Sequence, residues 1–295
     1  MIFSIIVPSY NRKAEIPALL SALARQTRFN FEVVIVDDCS REAVEVIGEY
    51  PFPVRVIRNQ QNQGAAQSRN IGAAAAQGDW LLFLDDDDRF SDDKCAVLED
   101  CIEQNPTVNF LYHPAKCSMV NEGFSYVTKP YQNPQDLTVE NILRANKIGG
   151  MPMIAVTKAL FEKVGGLSGE LRSLEDYDFL LKLLQQSEFK PLFINEPLTL
   201  CAFYTRRDSV STDSTNTQKA IAYIRQHYVK TDEQASNFTL NSEYMLAYPK
   251  VMNLSRSAAP HYWRIFRASK NLKALVICLV ILISPQLAIN LKRYI

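Results

Sequence analysis

Four short apolar runs rich in β-branched residues, at 2–7, 31–36, 54–57 and 80–84, alternate with four stretches of helical character at 13–26, 41–49, 65–76 and 92–104. Strands that point the same way must be joined by long crossovers, usually helices. This rhythm therefore predicts an α/β fold on a mostly parallel sheet with helices on both faces. The runs are almost wholly apolar, as burial on both faces of a sheet requires. Asn11 stands where it would cap the first helix, and Ser91 where it would cap the fourth.

In such sheets ligands gather outside the carboxyl ends of the strands, at a switch in strand order. The polar residues fall there: Pro8-Ser9-Tyr10-Asn11-Arg12 after the first run, Asp37-Asp38 after the second and Asp85-Asp86-Asp87-Asp88 after the fourth. No GxGxxG follows the first run, which removes the best signal for a dinucleotide-binding domain.

The four consecutive carboxylates carry the most information. The nearest cation before them is Arg69, so the cluster needs a counter-ion. Side chains alternate faces along an extended chain, which makes Asp85 and Asp87 project together while Asp86 turns away. Two carboxylates on one side of a strand end form a hard-oxygen site for Mg²⁺ or Mn²⁺ that keeps waters and takes further ligands from a substrate diphosphate. The bare pattern also fits a solvated acidic turn.

At 295 residues, 47% of them hydrophobic, the chain can bury a full core. Lys+Arg and Asp+Glu are both 32, which argues against a nucleic-acid partner. The balance conceals an asymmetry: residues 244–295 carry eight Lys or Arg and no Asp or Glu, leaving 24 basic against 32 acidic residues before them. Six cysteines show neither CxxC nor zinc-ligand spacing and are read as free thiols in a reducing cytosol. The opening apolar run is too short for a signal segment and meets Pro8 at once.

After Pro106 the pattern loosens. Strands are expected at 110–119 and 124–127 around an Asn121-Glu122-Gly123 turn, and a helix near 139–146. A Gly149-Gly150-Met151-Pro152 loop then precedes a helix over 158–164 that Gly165-Gly166 terminate. Ser173 is placed to cap a helix over 174–186, whose first turn holds Glu175, Asp176 and Asp178.

In this order the pieces resemble the family-two inverting glycosyltransferases of the GT-A fold. Val7-Pro8-Ser9-Tyr10-Asn11-Arg12 is similar to that family's opening loop, and Val36-Asp37-Asp38-Cys39-Ser40 to its nucleotide-contacting acidic pair. Asn62-Gln63-Gly64 through Ser68-Arg69-Asn70-Ile71-Gly72 is similar to its donor-binding helix, and Phe83-Leu84-Asp85-Asp86-Asp87-Asp88 to its metal motif. Gly165-Gly166-Leu167 and Leu174-Glu175-Asp176-Tyr177-Asp178 are similar to the segment that supplies its base. The resemblance spans about residues 1–211. It implies a nucleotide-diphospho-sugar donor, UDP-linked, contacted by Pro8, Tyr10, Asp37, Asp38, Arg69, Asp85, Asp86 and Arg206. It also implies Mn²⁺ or Mg²⁺ on Asp87 with Asp85, Asp176 as general base, and Glu175 and Asp178 at the acceptor.

The residue types suit these roles. Asp38 or Asp37 can accept hydrogen bonds from a base N–H or a ribose hydroxyl, although either also suits an N-cap. Arg69 can act as a charge-assisted donor to a diphosphate, or lie on a helix surface. Asp176, in the first turn of a helix, would be held ionised by the helix dipole as a weak but available base, or would merely complement the helix end. Where many family members close with a histidine beside an arginine, Phe203-Tyr204-Thr205-Arg206-Arg207-Asp208-Ser209-Val210-Ser211 has no histidine. The departure favours an arginine clamp on the diphosphate, by Arg206 or Arg207, over a third protein ligand to the metal, and the same residues also fit a basic surface loop.

In the tail, ten unbroken apolar residues at 274–283 continue past Ser284-Pro285-Gln286, and five upstream cations are interleaved with Tyr262, Trp263, Ile265 and Phe266. The composition is that of an interfacial helix on anionic lipid. Pro285 argues for a kinked or re-entrant element, and a buried helix or dimer contact is the competing reading. We thus expect a transferase domain over 1–211, a helical connection over 212–255 and a membrane-associating tail over 256–295. The expected site of action is the cytoplasmic face of the cell membrane, on a glycan or polyprenyl-linked acceptor. A metal-dependent nucleotidyltransferase and a phospho-receiver-like switch are the rival readings.

Overall fold

The computed structural model describes residues 1–206 and 214–294. β1 (Phe3–Ser9), α1 (Ile16–Leu23), β2 (Phe31–Asp37), β3 (Val54–Arg58), α2 (Ala65–Ala75) and β4 (Trp80–Phe83) form the first half of the α/β domain. The short β5 (Arg89–Phe90) and α3 (Lys94–Gln104) lead to β6 (Phe110–Tyr112), β7 (Ala115–Met119), β8 (Phe124–Val127) and α4 (Val139–Arg144). β9 (Ile154–Thr157), α5 (Lys158–Lys163), α6 (Glu175–Leu183), β10 (Pro191–Phe193) and β11 (Thr199–Phe203) follow. The chain then turns helical: α7 (Ser214–Tyr228), α8 (Asp232–Met252), α9 (Ala259–Ser269), α10 (Leu272–Ile283) and α11 (Pro285–Asn290).

Seven strands form the main sheet in the order β10-β6-β9-β4-β1-β2-β3. β1 pairs in parallel with β2 on one side and β4 on the other, so the strand order reverses beside β1. The two carboxyl ends that meet at this switch point are those carrying Ser9 and the aspartate cluster. β9 runs antiparallel between β4 and β6, which makes the sheet mixed. A second sheet, β5-β11-β7-β8, stands beside it.

Alternation along the strands builds two cores. Ile6, Val34, Val36, Leu81 and Phe83 face one layer, while Ile5, Val7, Val33, Ile35 and Leu82 face the other. α2 lies so close to β1 that a Cβ at Gly72 would stand 2.4 Å from Ile6 Cγ2. Ile221, Ile224 and Tyr228 of α7 and Phe238 of α8 are buried in the first of these cores, so this connecting region is packed into the body of the domain.

Several local expectations give way to tertiary contacts. The stretch 41–49 is not helical: Asp37 takes the amides of Ser40 and Val44, and Arg58 donates to the Ser40 carbonyl, which tie the chain down as a loop. Asn11 has φ 56° and accepts from the Arg41 amide across the loops instead of capping α1. Ser91 donates its hydroxyl to Leu198 O. Ser173 meets Thr217, and Leu174, in a left-handed conformation, takes the N-cap position before α6 with no side-chain cap. The expected strand 110–119 breaks at His113-Pro114 into β6 and β7, which belong to different sheets.

In the tail, α10 stops at Ile283 and α11 starts at Pro285, with Ser284 serving as C-cap of one and side-chain N-cap of the other. Proline at N1 lacks the amide that continuing α10 would have needed. Among the described residues no helix is long and apolar enough to cross a membrane.

Candidate active site

A cleft of about 780 Å³ opens at the switch point, a size that suits a nucleotide-sugar. Its walls come from the loop after β1 (Pro8, Ser9, Tyr10, Arg12), the head of α2, the Asp85–Asp88 turn, Gly150-Met151-Pro152 and the head of α6. Phe203 and Tyr204 together with Tyr248 and Met252 of α8 close one side.

Two arginines organise the aspartate turn. Arg12 Nη1 lies 2.9 Å from Asp86 Oδ1 and 2.6 Å from Asp87 Oδ2. Arg69, buried on α2, places Nη2 2.6 Å from Asp85 Oδ1 and Nη1 2.9 Å from Glu175 Oε1. Arg69 thus joins the turn after β4 to the head of α6, with Glu175 106 residues further along the chain than Arg69 itself. Burial works against the charges of both guanidiniums, but Asp86 and Asp87 around Arg12, and Asp85, Glu175 and Asp176 around Arg69, outweigh it and hold them firmly protonated.

The four aspartates occupy different environments. Asp85 and Asp87 are 37% and 29% exposed into the cleft. Asp86 is turned beneath Arg12 and takes a hydrogen bond from the Ser9 hydroxyl at 3.0 Å. Burial lifts its carboxyl to about 6 against the pull of Arg12. Asp88 accepts from the Ala202 amide, which ties the turn to β11, and burial with the charges of Asp85 and Asp87 raises it to about 8.

The donor set fits a divalent cation. Asp85 and Asp87 offer two hard carboxylates partly exposed to the cleft, while Asp86 between them is largely buried at the cleft wall and bonded to Ser9 and Arg12. Among the described residues no group of three or more His, Cys, Asp or Glu is assembled for a metal. An ion here would therefore be held by Asp87 and Asp85 together with water and substrate oxygens, the mode natural to Mg²⁺ and Mn²⁺.

Asp176 lies at the head of α6, with its Oδ1 accepting the Tyr177 amide at 2.8 Å and Oδ2 facing Gly150. Burial, then the neighbouring charge of Glu175, raises its carboxyl to about 7 against the Tyr177 amide and Arg69. The helix dipole does not prevail: desolvation and a like charge win, and the group is a stronger base than its place in the helix suggests.

The other expected residues divide between cleft and interior. Pro8, Tyr10, Asp38, Arg69, Asp85, Asp86, Asp87 and Glu175 line the cleft. Asp38 accepts from the Gln63 and Gly64 amides and from Asn59, and so holds the head of α2 in place. Asp37 and Asp178 are fully buried and line no part of it. Asp37 serves the loop after β2 and the Arg58 pair, whose bonds keep its carboxyl below the usual range despite burial. Asp178 accepts from Tyr228 Oη at 2.6 Å and pairs with Lys182, fastening α6 to α7. Arg206 is exposed and lies off the cleft lining, its amide bonded to Met252 O, and Arg207 falls outside the described residues.

Residues the motif reading did not single out also stand here. Arg12 is the main one, and its signal was an acidic residue at position 86 that needs its own cation. Arg172 Nη1 reaches Asn62 Oδ1 at 3.4 Å across the head of α2. Tyr248 and Met252 come from a helix with no motif at all.

The profile described as Glycosyl transferase family 2 matches residues 4–165. An uncharacterised glycosyltransferase of Haemophilus influenzae is 67% identical over 290 residues, 98% of each chain. TuaG of Bacillus subtilis, a putative teichuronic acid biosynthesis glycosyltransferase, is 26% identical over 238 residues, 77% of this chain and 90% of its own. Among solved structures, Staphylococcus aureus TarS in complex with UDP superposes with a TM-score of 0.59 at 19% identity, covering 91% of this chain and 81% of TarS. The mannosyltransferase PcManGT of Pyrobaculum calidifontis, in complex with GDP-Man and Mn²⁺, gives 0.57 at 15% identity, covering 94% and 78%. These structural likenesses establish the GT-A-like α/β fold.

Proposed function

The chain belongs to glycosyl transferase family 2 and is a glycosyltransferase, and from that premise we propose that it transfers one sugar, with inversion, from a nucleotide-diphospho-sugar to a hydroxyl acceptor. The observation that carries this reading is that one cleft holds both the carboxylates suited to a diphosphate-bound cation and, on a separate segment, the raised carboxyl of Asp176.

Arg69 and Arg12 are positioned to donate to an anionic diphosphate once their carboxylate partners are shared with a cation. Tyr10 and Asp38 line the cleft beside the head of α2, and in this reading they face the nucleoside. Asp87 and Asp85 would hold a Mn²⁺ or Mg²⁺ ion, which would neutralise the charge that grows on the leaving diphosphate. Asp176 takes the proton of the acceptor hydroxyl on Oδ2, while the Tyr177 amide holds Oδ1 and fixes the carboxylate's orientation. Near pH 7 a carboxyl at about 7 is half ionised and basic enough to accept that proton. Glu175 keeps Arg69 aligned with Asp85 and borders the acceptor side. UDP-sugars are the first donors to test, since TarS is described with UDP and UDP-GlcNAc.

A thermal-shift screen of nucleoside diphosphates with Mn²⁺ tests the donor class. Ligand at about 100 times its Kd stabilises a fold by roughly 2.7 kcal/mol. Product analysis then tests the reaction. Release of a nucleoside diphosphate and a product of opposite anomeric configuration is expected; release of inorganic diphosphate would mean nucleotidyl transfer and sink the proposal.

A further inference from the structure

Beyond Lys273 in its first turn, α10 is apolar on every side yet covered on only one. Ala274, Cys278 and Ile281 are buried, and Cys278 and Ile281 share a core with Met252 and Ala259. On the opposite side Leu272, Val276, Leu279, Leu282 and Ile283, with Leu287 of α11, are each more than half exposed. Positions 272, 276, 279 and 283 follow the helical repeat, so they form a stripe and are not scattered side chains.

The surroundings of the stripe specify what covers it. Arg267, Lys270 and Lys273 are exposed around the turn that joins α9 to α10. Residues 244–295 contain no acid to pair them. Trp263, 46% exposed, lies one helical turn before Arg267, and an amphipathic ring of this kind suits the headgroup level of a bilayer. A symmetric dimer through the same stripe would bring two basic rims to the interface with no acid from the tail of either copy to pair them. At 12 residues α10 spans about 18 Å, well short of the roughly 30 Å needed to cross a hydrocarbon core.

We propose that this face docks on an anionic lipid bilayer, with α10 lying in the interfacial plane, its stripe at the acyl boundary, and Trp263, Arg267, Lys270 and Lys273 among the headgroups. The docked face is close to the catalytic cleft. Met252 lines the cleft and also packs in the core closed by the inner side of α10, so one continuous apolar core links the docked helix to the cleft wall. The acceptor class that follows is a lipid-linked glycan or polyprenyl carrier held at the cytoplasmic leaflet. This last step rests on the glycosyl-transfer reading; the docking does not.

The test is co-sedimentation of the full chain, without nucleotide, with vesicles of phosphatidylcholine alone and of phosphatidylcholine mixed with phosphatidylglycerol. Each of the three cations strengthens binding to a charged surface about fivefold, so a preference for the anionic vesicles of roughly a hundredfold is expected. Leu279→Glu with Ile283→Glu should abolish binding to both vesicles. Lys270→Glu with Lys273→Glu should remove only the anionic preference and guards against loss of fold in the first variant. Nucleotide-induced thermal shifts in both variants should equal the parent's. Equal binding to the two vesicles, no binding to either, or a dimer in sedimentation velocity that Leu279→Glu with Ile283→Glu dissociates would overturn the proposal. Docking with no sugar transfer from any donor would leave the surface standing and refute the enzymatic reading alone.

Discussion

Replacing Asp176 with asparagine should produce an enzyme that is slower and more stable at once. Asparagine keeps the shape and the acceptor oxygen for the Tyr177 amide, but it takes no proton. Loss of a general base is commonly worth about 10² to 10⁴ in rate. The stability term comes from the shifted carboxyl, which burial and Glu175 raise to about 7. Ionising it there is disfavoured by about 4 kcal/mol relative to the unfolded chain, and water in the open cleft screens this to about 2 kcal/mol. The folded state binds the extra proton between the unfolded and folded values, so the parent loses stability as pH rises through about 7. The variant escapes that loss. Urea unfolding at pH 8 should show Asp176→Asn more stable than the parent by about 2 kcal/mol, a gain that fades as pH falls toward about 4. Titration with nucleotide should give unchanged affinity. Glu175→Gln adds a second check: without its charge, the acidic limb of the parent's kcat/KM profile should move to lower pH. A variant at Asp176 that unfolds more readily at pH 8, or that no longer binds nucleotide, would refute the assignment of this residue as a buried base.

Other substitutions test the rest of the site. Asp87→Asn should keep the parent's melting temperature yet lose Mn²⁺-dependent donor binding by calorimetry, and full turnover of this variant in a chelator would remove the cation from the mechanism. Arg12→Gln strips the counter-ion from Asp86, whose carboxyl would rise above about 6; it should cost about 2 kcal/mol at pH 8 and markedly less at pH 5, measured by denaturant unfolding. Gly72→Ala inserts a Cβ 2.4 Å from Ile6 Cγ2 and 3.2 Å from Val36 Cγ2, so it should destabilise the fold by about 1 to 3 kcal/mol despite alanine's better helix propensity, seen as a lower Tm.

Much of the sheet was legible because it rests on local pattern. The runs that became β1, β2, β3 and β4 are apolar whichever neighbour they meet, and burial on both faces leaves them no other place. The aspartate turn was legible for the same reason, since four adjacent carboxylates at a strand end need counter-charges in any fold. The antiparallel β9 was not legible. Ile154–Thr157 is four residues long beside a glycine-rich loop, and only its pairing with β4 and β6 makes it a strand. The stretch 41–49 misled in the opposite direction, because the buried carboxylate of Asp37 takes amides that a helix would have left to its own turns.

The candidate site divides along the same line. Residue type and order, read through the resemblance to the family, placed Asp85, Asp87, Arg69 and Asp176 in one set of motifs; charge and position at strand and helix ends suit those roles but left other readings open. Which carboxylate faces the cleft, and with what basicity, was decided by tertiary structure. Asp37 and Asp38 are adjacent and chemically identical, yet one is enclosed by its loop and Arg58 while the other lines the cleft. Asp176 and Asp178 share a helical turn, yet Tyr228 and Lys182 hold Asp178 in the interior. The cause is physical: desolvation, counter-charges and hydrogen-bond partners all depend on segments far away in sequence. Arg12 lies 74 residues from Asp86, and Arg69 lies 106 from Glu175, so only the folded chain brings together the charges that assign each aspartate its task.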